Sequence, residues 1–155
     1  MKKFIFILFF LNTINYLYCD DQDSIEIVAD ILEWNKEKGQ AIATGNASAK
    51  NSETIILADK IIAIIDPNSN NQEIKEILAN GNVKFTRDQE VATGQEAIYN
   101  LYEDIVTLKG KVTLKKEENI IKGEKLVIDF NTGLSKMEGS NSKTKVQMKY
   151  KTKEN

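Results

Sequence analysis

The chain has 155 residues, 41% of them hydrophobic, with 21 Lys and Arg against 23 Asp and Glu and a formal net charge of −2. It has no histidine and a single cysteine, Cys19. That excludes Ser-His-Asp and Cys-His nucleophiles and the usual zinc sites, which need imidazole or thiolate donors. The charge is too small and too mixed to suggest a nucleic-acid partner, and no cofactor site is expected.

Met1-Lys2-Lys3 is a basic n-region, and the run from Phe4 to Leu11 is unbroken in its apolar character. Asn12, Thr13 and Asn15 stop it well short of the roughly 20 residues that span a bilayer. Residues 1–19 therefore read as an export signal cut after Cys19, ahead of the acidic Asp20-Asp21-Gln22-Asp23. Two duller readings are an uncleaved anchor stretched to Leu17 and acylation of Cys19, the latter disfavoured by the bulk of Tyr18. Cleavage leaves 136 residues, one ordinary domain, with no thiol for a disulfide. It removes Lys2 and Lys3 but no acid, so the net charge of −2 becomes −4.

From Ser24 onward the sequence repeats. Val28-Ala29-Asp30-Ile31-Leu32-Glu33-Trp34 returns as Leu57-Ala58-Asp59-Lys60-Ile61-Ile62-Ala63, as Thr93-Gly94-Gln95-Glu96-Ala97-Ile98-Tyr99 and as Lys122-Gly123-Glu124-Lys125-Leu126-Val127-Ile128. The small head residues Ala29, Ala58, Gly94 and Gly123 lie 29, 36 and 29 residues apart. A second motif follows each copy: Thr44-Gly45-Asn46-Ala47, Asn80-Gly81-Asn82-Val83, Lys109-Gly110-Lys111-Val112 and Glu138-Gly139-Ser140. The long interval holds a turn-like insert, Asp66 to Gln72; without it the period is 29 throughout. One supersecondary unit is being stacked. Alternation at period two, as in Lys111-Val112-Thr113-Leu114-Lys115, predicts strands, and no segment keeps helical spacing for three turns. Two strands of roughly eight to ten residues and two turns fit the unit.

The repeat also assigns faces. Inward columns after each head hold Leu32 and Trp34, Ile61, Ala63 and Ile65, Ala97, Tyr99 and Leu101, then Leu126, Ile128 and Phe130. After each glycine they hold Ala47 and Ala49, Val83 and Phe85, Val112 and Leu114. Side chains two apart on a pleated strand share a face, so these columns line an interior. The flanking columns are polar, with Asp30, Asp59, Gln95 and Glu124 outward. Such a stack closes as a sandwich, a jelly roll or a solenoid; the expected fold is all-β, an elongated twisted jelly roll of antiparallel strands spanning 20–142. Residues 143–155, crowded with Lys143, Lys145, Lys149, Lys151 and Lys153, form a basic final strand or tail. Read as solvent-facing, that tail is a frayed end; a sharper reading makes it a contact for phosphate.

The motifs Ala29-Asp30-Ile31-Leu32-Glu33-Trp34, Ala43-Thr44-Gly45-Asn46-Ala47, Ala79-Asn80-Gly81-Asn82-Val83 and Thr93-Gly94-Gln95-Glu96-Ala97-Ile98-Tyr99 resemble the periplasmic lipopolysaccharide-transport family LptA, also called OstA-like. The resemblance runs from about Ile25 to Met137 and departs at Ala63, where an aromatic is common, and at the Pro67 insert. It implies a periplasmic, non-catalytic link in the bridge that carries lipopolysaccharide from inner to outer membrane. It further implies lipid A acyl chains held by Leu32, Trp34, Ile61, Ile65, Val83, Phe85, Tyr99, Leu101, Val112, Leu114, Leu126, Ile128 and Phe130. The implied partners are an inner-membrane LptC-like protein, an outer-membrane LptD-like protein and further copies of the chain, all joined through terminal strands. Three other readings stay open at this point. One is an LptC-like relative that keeps its N-terminus as a membrane anchor. Another is a structural β-repeat surface protein whose interior is only core. The third is an enzyme built on a carboxylate pair, as in glycosidases, although the acids here fall on outward columns.

Overall fold

The computed structural model describes residues 24–140 and 145–151. The expected export signal, residues 1–19, and part of the basic tail lie outside the described residues. Among these residues ten strands form one open antiparallel sheet: β1 (Glu26–Val28), β2 (Ile31–Asn35), β3 (Gln40–Lys50), β4 (Thr54–Ile65), β5 (Ile74–Arg87), β6 (Glu90–Asn100), β7 (Ile105–Lys116), β8 (Asn119–Asp129), β9 (Leu134–Glu138) and β10 (Gln147–Lys149). The spatial order is β1-β3-β4-β5-β6-β7-β8-β10, with β2 beside β3 and β9 beside β8. Among the described residues there is no helix. The all-β jelly roll expected from the repeat is the fold, built as one continuous sheet.

Strands β3 to β8 run 11 to 14 residues, longer than the eight to ten that the repeat suggested. The reason lies in the glycine motifs, which sit inside β3, β5 and β7 and bend those strands without ending them. Gly45, Gly81 and Gly110 have φ of 81°, 79° and 82°, and the following Asn46, Asn82 and Lys111 have φ of 45°, 48° and 50°. Two left-handed residues in succession break the ladder, and register shifts fall at Thr44/Ala47, Asn80/Val83 and Lys109/Val112. The even strands shift on the same line, at Leu57/Lys60 and Thr93/Glu96. Together these breaks crease the sheet, and its two halves fold to face each other.

The outward acids secure that crease. A Cβ on Gly81 would overlap the Asp59 carboxylate, which lies across the bend and accepts a 2.9 Å hydrogen bond from Asn82 Nδ2. Asp30 repeats the arrangement over Gly45, again with 2.9 Å to Asn46 Nδ2. At the third bend Glu124 Oε2 accepts from the Lys111 amide at 3.2 Å. The insert is the turn that its composition suggested: Asp66 N donates to Glu73 O at 2.8 Å, and Asp66 Oδ1 accepts from Asn68 N at 2.9 Å.

One layer holds β1, the second halves of β3, β5 and β7, the first halves of β4, β6 and β8, and β10. The other holds β2, the complementary halves and β9. Apolar residues of both layers meet between them as one core, from Ala43 to Ile128.

Candidate functional site

The candidate site is the inner face of the creased sheet. Register turns the sequence columns into rows that run along the molecule. One row in the second layer reads Leu32, Ala43, Ile61, Ala79, Ala97, Leu108, Leu126 and Met137; its neighbour carries Trp34, Ala63, Ile77, Tyr99, Val106 and Ile128. In the facing layer a row passes through Ile27, Ala49, Ile56, Phe85, Ala92, Leu114, Ile121 and Met148.

Ile61, Val83, Phe85, Tyr99, Val112, Leu114, Leu126 and Ile128 are buried between the layers. Ile65, Leu101 and Phe130 are half-buried, and the last two pack against the core from the rim. Leu32 and Trp34 break the expectation of an enclosed column: they are 60% and 57% exposed. They lie on the inward rows by register, but β2 is the last strand of its layer and the edge strand of the other layer, β1, has only three residues. The inner face is therefore uncovered at this end.

At mid-length the interior is filled. Phe85 from the first layer meets Tyr99 of the second edge-on, with centroids 5.7 Å apart at 77°, and stacks on Phe130 at 5.8 Å and 22°. A cavity of about 10 Å³ remains, bounded by Ile25, Ala49, Thr54, Ile56, Ile77 and Tyr99. Beside it, on the rim, an open hollow of about 500 Å³ is lined by Ile25, Ile74, Leu101, Tyr102 and the polar stretch 71–73.

The rim opposite the crease, where the strand ends of the two layers meet, carries a charged cluster. Arg87 Nη1 donates to Asp104 Oδ1 at 2.6 Å and Nη2 to Glu53 Oε2 at 2.6 Å. Tyr99 donates its hydroxyl to the same Asp104 oxygen at 2.7 Å, and the guanidinium lies 4.1 Å above the Phe130 ring. Burial works against the Arg87 charge, but Asp104 outweighs it and the pKa is raised. Burial, reinforced by Asp104, pushes the Tyr99 phenol up to about 12. Among the described residues no group of three or more His, Cys, Asp or Glu is placed to hold a metal ion. The acids instead clamp the crease, cap turns, or pair with lysine and with Arg87, and the face between the layers is apolar.

Residues 26–134 match the family described as LptA/(LptD N-terminal domain) LPS transport protein. The chain belongs to that family. Among solved structures it is similar to LptH of Pseudomonas aeruginosa, described as the LptA homologous periplasmic component of the conserved lipopolysaccharide transport device. The TM-score is 0.75 at 18% identity, over 86% of this chain and 99% of that one. An uncharacterized protein of Rhizobium meliloti is 26% identical over 138 residues, covering 85% of this chain and 74% of the relative.

As an LptA-like protein the chain is a component of lipopolysaccharide transport, and its family is one of transport proteins. The LptA-like columns supplied the rows of the interior. The repeated motifs do not include Glu53, Arg87 and Asp104: Glu53 and Asp104 lie in turns, and Arg87 is the last residue of β5. The one local signal was Arg87 itself, the only arginine among 21 basic residues.

Proposed function

We propose that this LptA-like protein binds lipopolysaccharide in the periplasm through its acyl chains and passes it along the inner face of the creased sheet. It works without catalysis, as one link of the bridge between inner and outer membranes. The observation that carries the reading is the continuous apolar inner face, left uncovered at the β2 end where Leu32 and Trp34 stand exposed. Each buried CH₂ contributes ~0.8 kcal/mol, so even partial insertion of one acyl chain holds the lipid. The expected contacts are Leu32 and Trp34 at the open end, Ile65, Leu101 and Phe130 on the rim, and Ile61, Val83, Phe85, Tyr99, Val112, Leu114, Leu126 and Ile128 within. Among the described residues, edge strands β1 and β2 at one end, and β9 and β10 at the other, pair on one side only. These suit strand addition by an LptC-like protein, an LptD-like protein or another copy of the chain.

A charge placed on the inner face tests the reading. Ile128→Asp desolvates a carboxylate and should cost several kcal/mol of stability, so it reports on the core. Leu32→Asp sits on an exposed side chain and should leave the fold intact while sharply weakening retention of lipopolysaccharide in a co-sedimentation assay. Undiminished retention by Leu32→Asp would remove the open end from the site.

The small cavity favours a second reading, in which the interior is permanent core and the protein is a structural β-repeat element. It predicts no retention of lipopolysaccharide at any inner-face position.

A further inference from the structure

Arg87 is the only arginine among 21 basic side chains, and its planar fork is used on both sides. Nη2 holds Glu53 of its own layer, while Nη1 crosses the rim to Asp104 of the other layer, each at 2.6 Å. Of the ion pairs among the described residues, Arg87–Asp104 alone joins the two layers. Tyr99 completes the junction at 2.7 Å from the same Asp104 oxygen, and Phe130 supplies the aromatic face under the guanidinium. A lysine has neither the plane to stack on Phe130 nor the fork to reach two carboxylates in fixed directions.

The hollow between the layers beside Tyr99, about 10 Å³, is the room of one water molecule at most. No acyl chain fits there unless the layers part. We propose that Arg87, Asp104 and Tyr99 form a clasp that holds the roll shut when empty and releases to admit an acyl chain between the layers. The clasp rests on the reading of the interior as the acyl-chain site. Its position suits reversible opening: the Arg87 and Asp104 side chains keep 13% and 25% exposure at the rim, so water reaches both charges as they separate. A pair sealed in the core would have no such route. Phe85 and Phe130, stacked directly beneath, part along the same line.

Spin labels on Gln89→Cys and Glu103→Cys, on exposed turns either side of the clasp, report the width of the rim. Cys19→Ser removes the remaining thiol, and the protein is recovered after export. Pulsed electron resonance should give a short, narrow distance without lipid and a longer one with added lipopolysaccharide. Arg87→Gln should give the long or broad distribution without lipid and load lipopolysaccharide several-fold faster. Arg87→Lys, which keeps the charge but not the fork, should fall between. Lipopolysaccharide that co-sediments with the protein while the distance stays unchanged overturns the clasp and leaves the acyl-chain reading standing. That comparison uses the protein with Arg87 in place and needs no folded variant. Opening in Arg87→Gln without lipopolysaccharide retained by either protein contradicts the acyl-chain reading instead.

Discussion

Gly81 shows how a single position decides the shape of the sheet. Its φ of 79° already costs an L-residue about 1–2 kcal/mol, and the Asp59 carboxylate occupies the space a side chain needs. Gly133 has a similar φ of 71° but nothing within 4 Å of a new Cβ. Gly81→Ala should therefore lose clearly more stability in urea denaturation than Gly133→Ala, and adding Asp59→Ala should recover part of the difference. Equal losses would mean that strain alone, without the clamp, sets the bend. Tyr99 gives a second test at this scale. Its folded pKa, about 12, lies above the ordinary value of 10.0, so the folded state holds the phenolic proton more tightly. The stability this contributes is complete below pH 10 and is lost as the pH rises towards 12. Removing the phenol with Tyr99→Phe should flatten the loss of stability across that window, read by denaturation at a series of pH values. An unchanged slope would contradict the buried, Asp104-bound phenol.

At the level of elements, β10 is a three-residue strand that covers the first half of β8 through Gln147–Lys122, Met148–Ile121 and Lys149–Ile120. Ending the chain at residue 144 removes it. The expected cost is on the order of 1–2 kcal/mol from a few lost ladder bonds, together with weaker end-to-end association in sedimentation. Stronger association would mean that β10 blocks the edge of β8 and does not serve as the joining strand. The elements were legible in the sequence because the repeat is a backbone property. Gly45, Gly81 and Gly110 recur where the strand must bend, and period-two alternation separates Val112 and Leu114 from their polar neighbours. Two things were not legible. Alternation says which face Leu32 and Trp34 occupy, but whether another layer covers that face depends on where the facing strands stop. The sequence shows the column of Asp30, Asp59 and Gln95 only as polar and outward, because its contacts are made to a neighbouring strand, at glycines 15 to 22 positions away in sequence.

Over the whole molecule, the crease converts ten strands into two facing layers whose inner rows run from the β2 edge to the β9 and β10 edges. Arg87, Asp104, Tyr99, Phe85 and Phe130 close those layers together at mid-length, and that closure could be found only once strand ends and turns from different repeats had been brought to one rim. The proposed path of the lipid is this inner face, and the outer face has no part in it. A photoreactive residue placed singly at Leu32, Phe85, Leu101, Leu126 or Phe130, and at the outward Asp59, Gln95 or Glu124 for comparison, tests that directly in living cells. The account predicts crosslinks to lipopolysaccharide from the inner rows and none from the outward positions. Equal labelling of both faces, or no labelling from the inner rows of a folded protein, would contradict it.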